Sequence, residues 1–354
     1  MSPDDVNFFP PTVLANYPAD CRSVINEPIR SVNSSGFSGA RLWRWTSATK
    51  GNLVLRRWPV QHPTEDRLRF IHGVLRHLAE NGIDFIAPPC MTANGATFVW
   101  EAGHLWELAP WLPGHAISEG TRPSNVQLSN AGQAVAHLHL AAQDFDCSSR
   151  TGQVSPGISE RAAKLSQLLQ SGYARLTNAV NSPYSQPAEQ FLPLATELIG
   201  LFPVAAPLVW QHLKATQHFA VALQPCLRDI WREHVLFEGD QVTGIVDYGA
   251  LRTESVAADL ARLFSSLAED RPADWLQGVA AYEAMRPMSP EERQLIVALD
   301  VSGTLLSASN WLEWLFVEQR QFSNREGVLS RLATILRRLH HLAKVGVTAE
   351  VLLE

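Results

Sequence analysis

The stretch CLRDIWREHVLFEGDQVTGIVDYGALRTESVAADLARL (Cys226–Leu263) sets a dense run of charge against apolar strands. Arg228, Asp229, Arg232, Glu233 and His234 crowd together ahead of the apolar run Val235–Phe237. EGDQ (Glu238–Gln241) reads as a hairpin turn, and IVDYG (Ile245–Gly249) returns with a lone acid in an otherwise buried-looking run. Loop, strand, turn and second strand separate Asp229 from Asp247, and a hairpin of that length returns the chain, so both acids can face one cleft. Taken singly, Asp229 is as readily an exposed loop acid and Asp247 a turn acid; the pair in this setting is harder to explain that way.

Working outward, the chain has 354 residues, beyond the usual size of a single core, so one two-lobed domain or two domains are expected. A hydrophobic share of 46% with 18% charged residues describes a folded globular protein. The net charge of −6, with signs interspersed and no long basic run, argues against a nucleic-acid surface. Cys21, Cys90, Cys147 and Cys226 form no CxxC pair, which suggests neither a zinc site nor a disulfide framework and favours a reducing compartment. The start MSPDDVNFF has no apolar run fit for a signal peptide, and no uncharged stretch of roughly 18 apolar residues stands out as a bilayer span. The expectation is a cytoplasmic protein without membrane or nucleic-acid partners, monomeric or homodimeric.

Between about 20 and 112 the sequence is strand-rich. ARLWRW (Ala40–Trp45) and NLVLRRW (Asn52–Trp58) are β-type runs joined by a turn, and ATFVWEAGHLWELAPWLPG gives two more strands around a glycine turn. Between these pairs, Leu68, Ile71, Val74, Leu75 and Leu78 share one helical face, with Thr64 as cap and Asn81-Gly82 as stop. After Gly114 the pattern turns helical, with residues 144–160 read as a Ser/Gly-rich loop, helices to about 223, and a β island from Pro225 to about Gly249. His137 and His139, at i and i+2, do not share a face and read as ordinary helix residues.

The quoted stretch resembles the catalytic segment of the aminoglycoside phosphotransferase / choline kinase-like family, an atypical branch of the protein-kinase-like fold. That family shows His-x-Asp-x4-Asn, an apolar strand, a turn, Ile-Ile-Asp-Trp/Phe-Gly and then Asp-Pro-x3-Asp-Leu-Ala. The resemblance implies a two-lobed α+β fold, with an N-terminal nucleotide-binding lobe (20–112) and a C-terminal catalytic and substrate-binding helical lobe (113–354). It implies an ATP-dependent transfer of the γ-phosphoryl group to a small-molecule hydroxyl, aminoglycoside-, choline- or sugar-like, with Mg²⁺ or Mn²⁺ as metal. Asp229 matches the residue that orients or deprotonates the acceptor, Asp247 the metal-binding acid, and Asp259 a structural acid bracing the loop.

Two positions depart from the family. Leu227 stands in place of the supporting histidine, and His234 in place of the metal-binding asparagine. An imidazole suits Mn²⁺ or Zn²⁺ better than Mg²⁺. His234 is thus a metal ligand, a hydrogen-bond partner of Asp229, or the mark of a site that no longer turns over. In that last case the protein is a catalytically impaired nucleotide-binding pseudokinase with a regulatory role.

By the same resemblance Ser34, Ser35, Gly36, Phe37, Ser38, Gly39 and Ala40 form the phosphate loop, where small residues let backbone N–H groups approach an anion. Arg56 matches the strand lysine that pairs the phosphates, and Arg57 should point to the opposite face. Glu65 is assigned as the helix acid that partners Arg56. Pro110 C=O and Leu112 N–H are the expected adenine contacts in the interlobe connector.

Overall fold

The computed structural model describes residues 11–24, 29–32, 39–145, 150–182, 186–322 and 324–353. The chain opens with helices α1 (Pro11–Ala15) and α2 (Ala19–Arg22) and strands β1 (Arg30–Val32), β2 (Arg41–Ser47) and β3 (Gly51–Arg57). Helix α3 (Glu65–Glu80) and strands β4 (Val99–Glu101), β5 (His104–Pro110) and β6 (His115–Ala116) follow. Next come α4 (Asn125–Ala142), β7 (Arg150–Val154), α5 (Pro156–Gln167), α6 (Tyr173–Val180), α7 (Leu192–Thr216) and β8 (Ala220–Cys226). Strands β9 (Val235–Glu238), β10 (Gln241–Ile245) and β11 (Arg252–Glu254) precede α8 (Ala257–Leu267), α9 (Pro272–Glu283), α10 (Pro290–Leu312) and α11 (Arg325–Lys344). Two compact units emerge: Met1–Ala116 with Glu233–Ala250, and Ile117–Arg232 with Leu251–Glu354. The stretch Cys226–Leu263 is therefore shared out, Asp229 and Asp259 to the second unit, His234 and Asp247 to the first.

The first unit is built on an antiparallel sheet ordered β1-β2-β3-β5-β4. Strand alternation assigns its faces. Trp43, Trp45, Leu53, Leu55, Trp106 and Leu108 pack with Val13, Leu14, Tyr17 and Cys21 of the two N-terminal helices. On the other face Leu105 packs with Trp58, Phe98 and Leu68 of α3. Thr64 caps that helix by accepting from Arg67 N–H, and the five apolar residues expected on one stripe are all buried. The hairpin β9–β10 turns at Gly239, whose φ is +59°, and is completed by β6 alongside β9. Gly114 has no substitute here: its φ is +96°, and a Cβ would lie 3.0 Å from Phe237 O.

The second unit is mainly helical. Helix α4 lies against α9, where Gly132 and Gly278 permit backbone approach. Helix α10 is buried along most of its length. A small antiparallel sheet ordered β11-β8-β7 completes the unit. The segment read as a loop over 144–160 thus contains a strand, formed because Gln153 and Val154 pair with Val221 and Ala220. The β island starts earlier than Pro225, since Val221 and Leu223 alternate into the interior. Glu189–Thr216 and Pro290–Val317 reach span-like length and apolarity; the latter is 83% buried, as a core helix is, and the former 39%.

Candidate active site

Antiparallel register in the first unit sets Arg56 of β3 opposite Glu107 of β5. Their side chains meet at 3.6 Å, and Arg56 Nη1 lies 3.6 Å from Asp247 Oδ1. The guanidinium also stacks over the Trp58 ring at 4.7 Å. His72, buried on α3, brings Nε2 within 2.7 Å of Glu107 Oε2, while its Nδ1 is 2.8 Å from the Thr97 hydroxyl. Burial pushes the Glu107 carboxyl up, but the His72 hydrogen bond and the Arg56 charge overcome it and hold the group below the ordinary glutamate value. Arg57 faces the other side of the strand, over Trp106 at 5.9 Å, as alternation requires.

The acid that partners Arg56 is therefore Glu107, and the assignment of Glu65 is corrected. Glu65 opens α3, where a carboxylate complements the helix dipole, and it pairs with Arg69 one turn along. Nothing local in the sequence marks Glu107; only strand register brings it to Arg56. Ser34, Ser35, Gly36, Phe37 and Ser38 lie outside the described residues, while Gly39, with φ of +76°, and Ala40 lead into β2. Pro110 ends β5, paired with Leu53. Trp111 N–H donates to Asn52 O at 2.8 Å, and Leu112 N–H has no partner among the described residues.

Asp247 has a left-handed backbone, φ +64°, a conformation that costs a non-glycine residue roughly 1 kcal/mol or more. Val246 N–H donates to His234 O at 2.9 Å just before it, and Tyr248 behind it bonds Ile245 O and Ala87 N–H. Gly249 follows because a Cβ there would press on the Trp58 ring at 3.3 Å. So held, the carboxylate stays 43% exposed, 3.8 Å from His234 Nε2 and without a tight ion pair to Arg56 or His234. An exposed carboxylate beside an imidazole nitrogen is a donor set that fits a divalent cation.

In the second unit the loop around Asp229 hangs from Asp259, in the first turn of α8 and fully buried. Asp259 Oδ2 accepts from Leu227 N–H (2.8 Å) and Oδ1 from Arg228 N–H (2.5 Å). His139 Nε2 sits 3.0 Å from Oδ2, and its Nδ1 is 2.9 Å from the Tyr282 hydroxyl. The loop is thus supported through backbone N–H groups, which leucine at 227 supplies as well as histidine would. His139 is the residue the sequence reading missed. The signal was present, because Val135, Leu138, His139 and Ala142 form one buried stripe whereas His137 is exposed.

Arg228, also left-handed at φ +64°, reaches Glu160 at 2.6 Å and Glu254 at 3.7 Å. Glu254 is fully buried and accepts from Ser155 Oγ and Gly157 N–H at the start of α5. Asp229 projects with 46% exposure and accepts from Arg262 Nε at 2.9 Å. Trp231 lies under Arg331 at 3.8 Å and Arg262 at 5.5 Å. His139, Cys226 and Asp259 also cluster as three metal-type donors, but Asp259 is saturated by hydrogen bonds and the Cys226 thiol donates to Glu254 O.

The model of the phosphotransferase enzyme family matches residues 30–295. Homoserine kinase of Brucella anthropi is 22% identical over 287 residues, covering 77% of this chain and 76% of its own. Homoserine kinase of Xanthobacter autotrophicus is 24% identical over 278 residues, with 77% of each covered. Among solved structures, a microcompartment-associated aminopropanol kinase superposes with TM-score 0.62 at 14% identity, over 93% of this chain and 95% of its own. An aminoglycoside phosphotransferase of Alicyclobacillus acidocaldarius gives 0.59 at 15% identity, over 97% and 95%. These likenesses show the two-lobed α+β protein-kinase-like fold.

Proposed function

Because the chain belongs to the phosphotransferase enzyme family and is an ATP-dependent phosphotransferase of small-molecule hydroxyls, we propose how its residues divide the work. Asp229 orients and deprotonates the acceptor hydroxyl, its exposed carboxylate kept in place by Arg262. Arg56, steadied by Glu107 and Trp58, grips the nucleotide phosphates with Gly39 and Ala40 and the loop before them. Asp247 and His234 hold Mg²⁺ or Mn²⁺, which neutralises charge on the phosphates. Pro110 and Leu112 meet the adenine through their backbone. The nucleotide residues Gly39–Leu112 belong to the N-terminal lobe (20–112) and Asp229 to the C-terminal lobe (113–354), in a cytoplasmic monomer or homodimer.

The observation that carries this reading is Asp247. A strained backbone holds a half-exposed carboxylate between a phosphate-type arginine and an imidazole, in contact with both and saturated by neither. The test is ATP consumption over a panel of hydroxylated metabolites and antibiotics with Mg²⁺ or Mn²⁺, comparing wild type with Asp229→Asn. Turnover should fall about 10²- to 10⁴-fold in the variant while nucleotide binding persists. Equal turnover in both proteins would remove Asp229 from the reaction.

A further inference from the structure

The helical unit contains a half-buried arginine that makes no ion pair among the described residues. Arg161 on α5 donates through Nη1 to Leu299 O at 2.6 Å and to Ser302 Oγ at 3.4 Å. Its Nε and Nη2 have no hydrogen-bond partner, and no ion pair reaches it, among the described residues. Arg161 is within electrostatic reach of Arg228, Arg262 and Glu254, so it belongs to the surroundings of the Asp229 loop. Desolvation pulls its pKa down to about 10; Glu254 and Asp300 oppose the shift, and Arg228 and Arg262 add to it.

The carboxylates nearby are already matched. Glu160 pairs with Arg228 and Arg252, Glu254 with Arg228, Asp229 with Arg262, and Asp300 with Arg338. A cationic acceptor would find no unmatched acid among these. Space, by contrast, is provided beside Arg161. A Cβ on Gly303 of α10 would meet only Arg161 Nη2, at 4.0 Å. Packing therefore does not demand glycine at 303, although glycine inside a helix is less favourable than alanine. At Gly132 and Gly278 packing does demand it.

We infer that the acceptor carries an anionic group, a carboxylate or a phosphate, gripped by Arg161 in the open space beside Gly303. The planar guanidinium has Nε and Nη2 left to offer two parallel donors to two anionic oxygens. This rests on the reading of Asp229 as the group that receives the acceptor hydroxyl.

The test uses acceptor pairs that differ in the anion alone: L-homoserine against L-homoserinol for a carboxylate, and glycerol 3-phosphate against glycerol for a phosphate, with choline as the cationic control. Wild type should prefer the anionic member of at least one pair in kcat/KM, and the pair that shows it names the anion. Arg161→Met should cut that preference roughly 10- to 100-fold, and Arg161→Lys should restore part of it. Gly303→Val, which fills the space and leaves the charge, should raise KM for the anionic member. Calorimetric titration of the same compounds without nucleotide separates the two readings. Arg161-dependent binding of the anionic member without any ATP consumption would sink phosphoryl transfer and leave the anion site standing. Efficient turnover of choline or the neutral members, with a preference that Arg161→Met does not alter, would overturn the anion site and leave the transfer reading intact.

Discussion

Asp247 and Asp259 are the same residue type in one short stretch, yet the two units use them in opposite ways. Asp259 has no exposure and is saturated by two backbone N–H groups and His139. Asp247 is 43% exposed, sits on a strained backbone, and has Arg56 and His234 only at 3.6 and 3.8 Å. The first is an acid whose bonding capacity is filled by the protein, and it shapes the loop that carries Asp229. The second keeps capacity in reserve, which a ligand can take up. Burial with saturation marks scaffold; exposure leaves the carboxylate open to a ligand.

The largest effect should come from emptying the saturated site. Asp259→Ala leaves the buried Leu227 N–H, the part-buried Arg228 N–H and His139 without their acceptor, and should cost about 3–5 kcal/mol of folding free energy in urea denaturation. A cost below about 1 kcal/mol would mean that water reaches the site and that the contrast with Asp247 is false. Asp247→Asn keeps the shape and the tolerance of a left-handed backbone, so stability should change by less than about 0.5 kcal/mol while turnover falls about 10²- to 10³-fold. Loss of stability in step with activity would make Asp247 a second structural acid.

The smallest effect concerns Glu107, which combines both characters, being mostly buried yet in contact with Arg56, the arginine proposed to bind the phosphates. Its carboxyl is held below the ordinary value of 4.5, so it contributes stability above that pH, and the contribution is lost as pH falls through the lowered value. Glu107→Gln should therefore show a shallower fall in stability on acidification below about pH 4.5, together with nucleotide affinity weakened by roughly tenfold. An unchanged acid slope would show that His72 and Arg56 do not favour its ionised form.

Much of the fold was legible because it rests on short-range regularities. Thr64 with the Leu68–Leu78 stripe marks α3, and the EGDQ turn marks the hairpin β9–β10. The strand Arg150–Val154 was not legible, because its Ser/Gly-rich surroundings read as loop and its partner β8 lies far along the chain. Within the site, Glu65 was the wrong acid for Arg56 for a related reason. Proximity in sequence favoured the helix, whereas the contact is set by which residue of β5 falls opposite Arg56.

By itself the sequence determined the local structure around the candidate residues. Asp229, His234, Asp247 and Asp259 carry a spacing that near-neighbour geometry converts directly into loop, hairpin and helix start. Only the tertiary structure decided which groups share a proton or a charge: Arg56 with Glu107, Glu107 with His72, and Asp259 with His139. The physical reason is that hydrogen bonds and ion pairs act over a few ångströms of space, and no periodicity along the chain encodes a contact between residues brought together by strand register and helix packing.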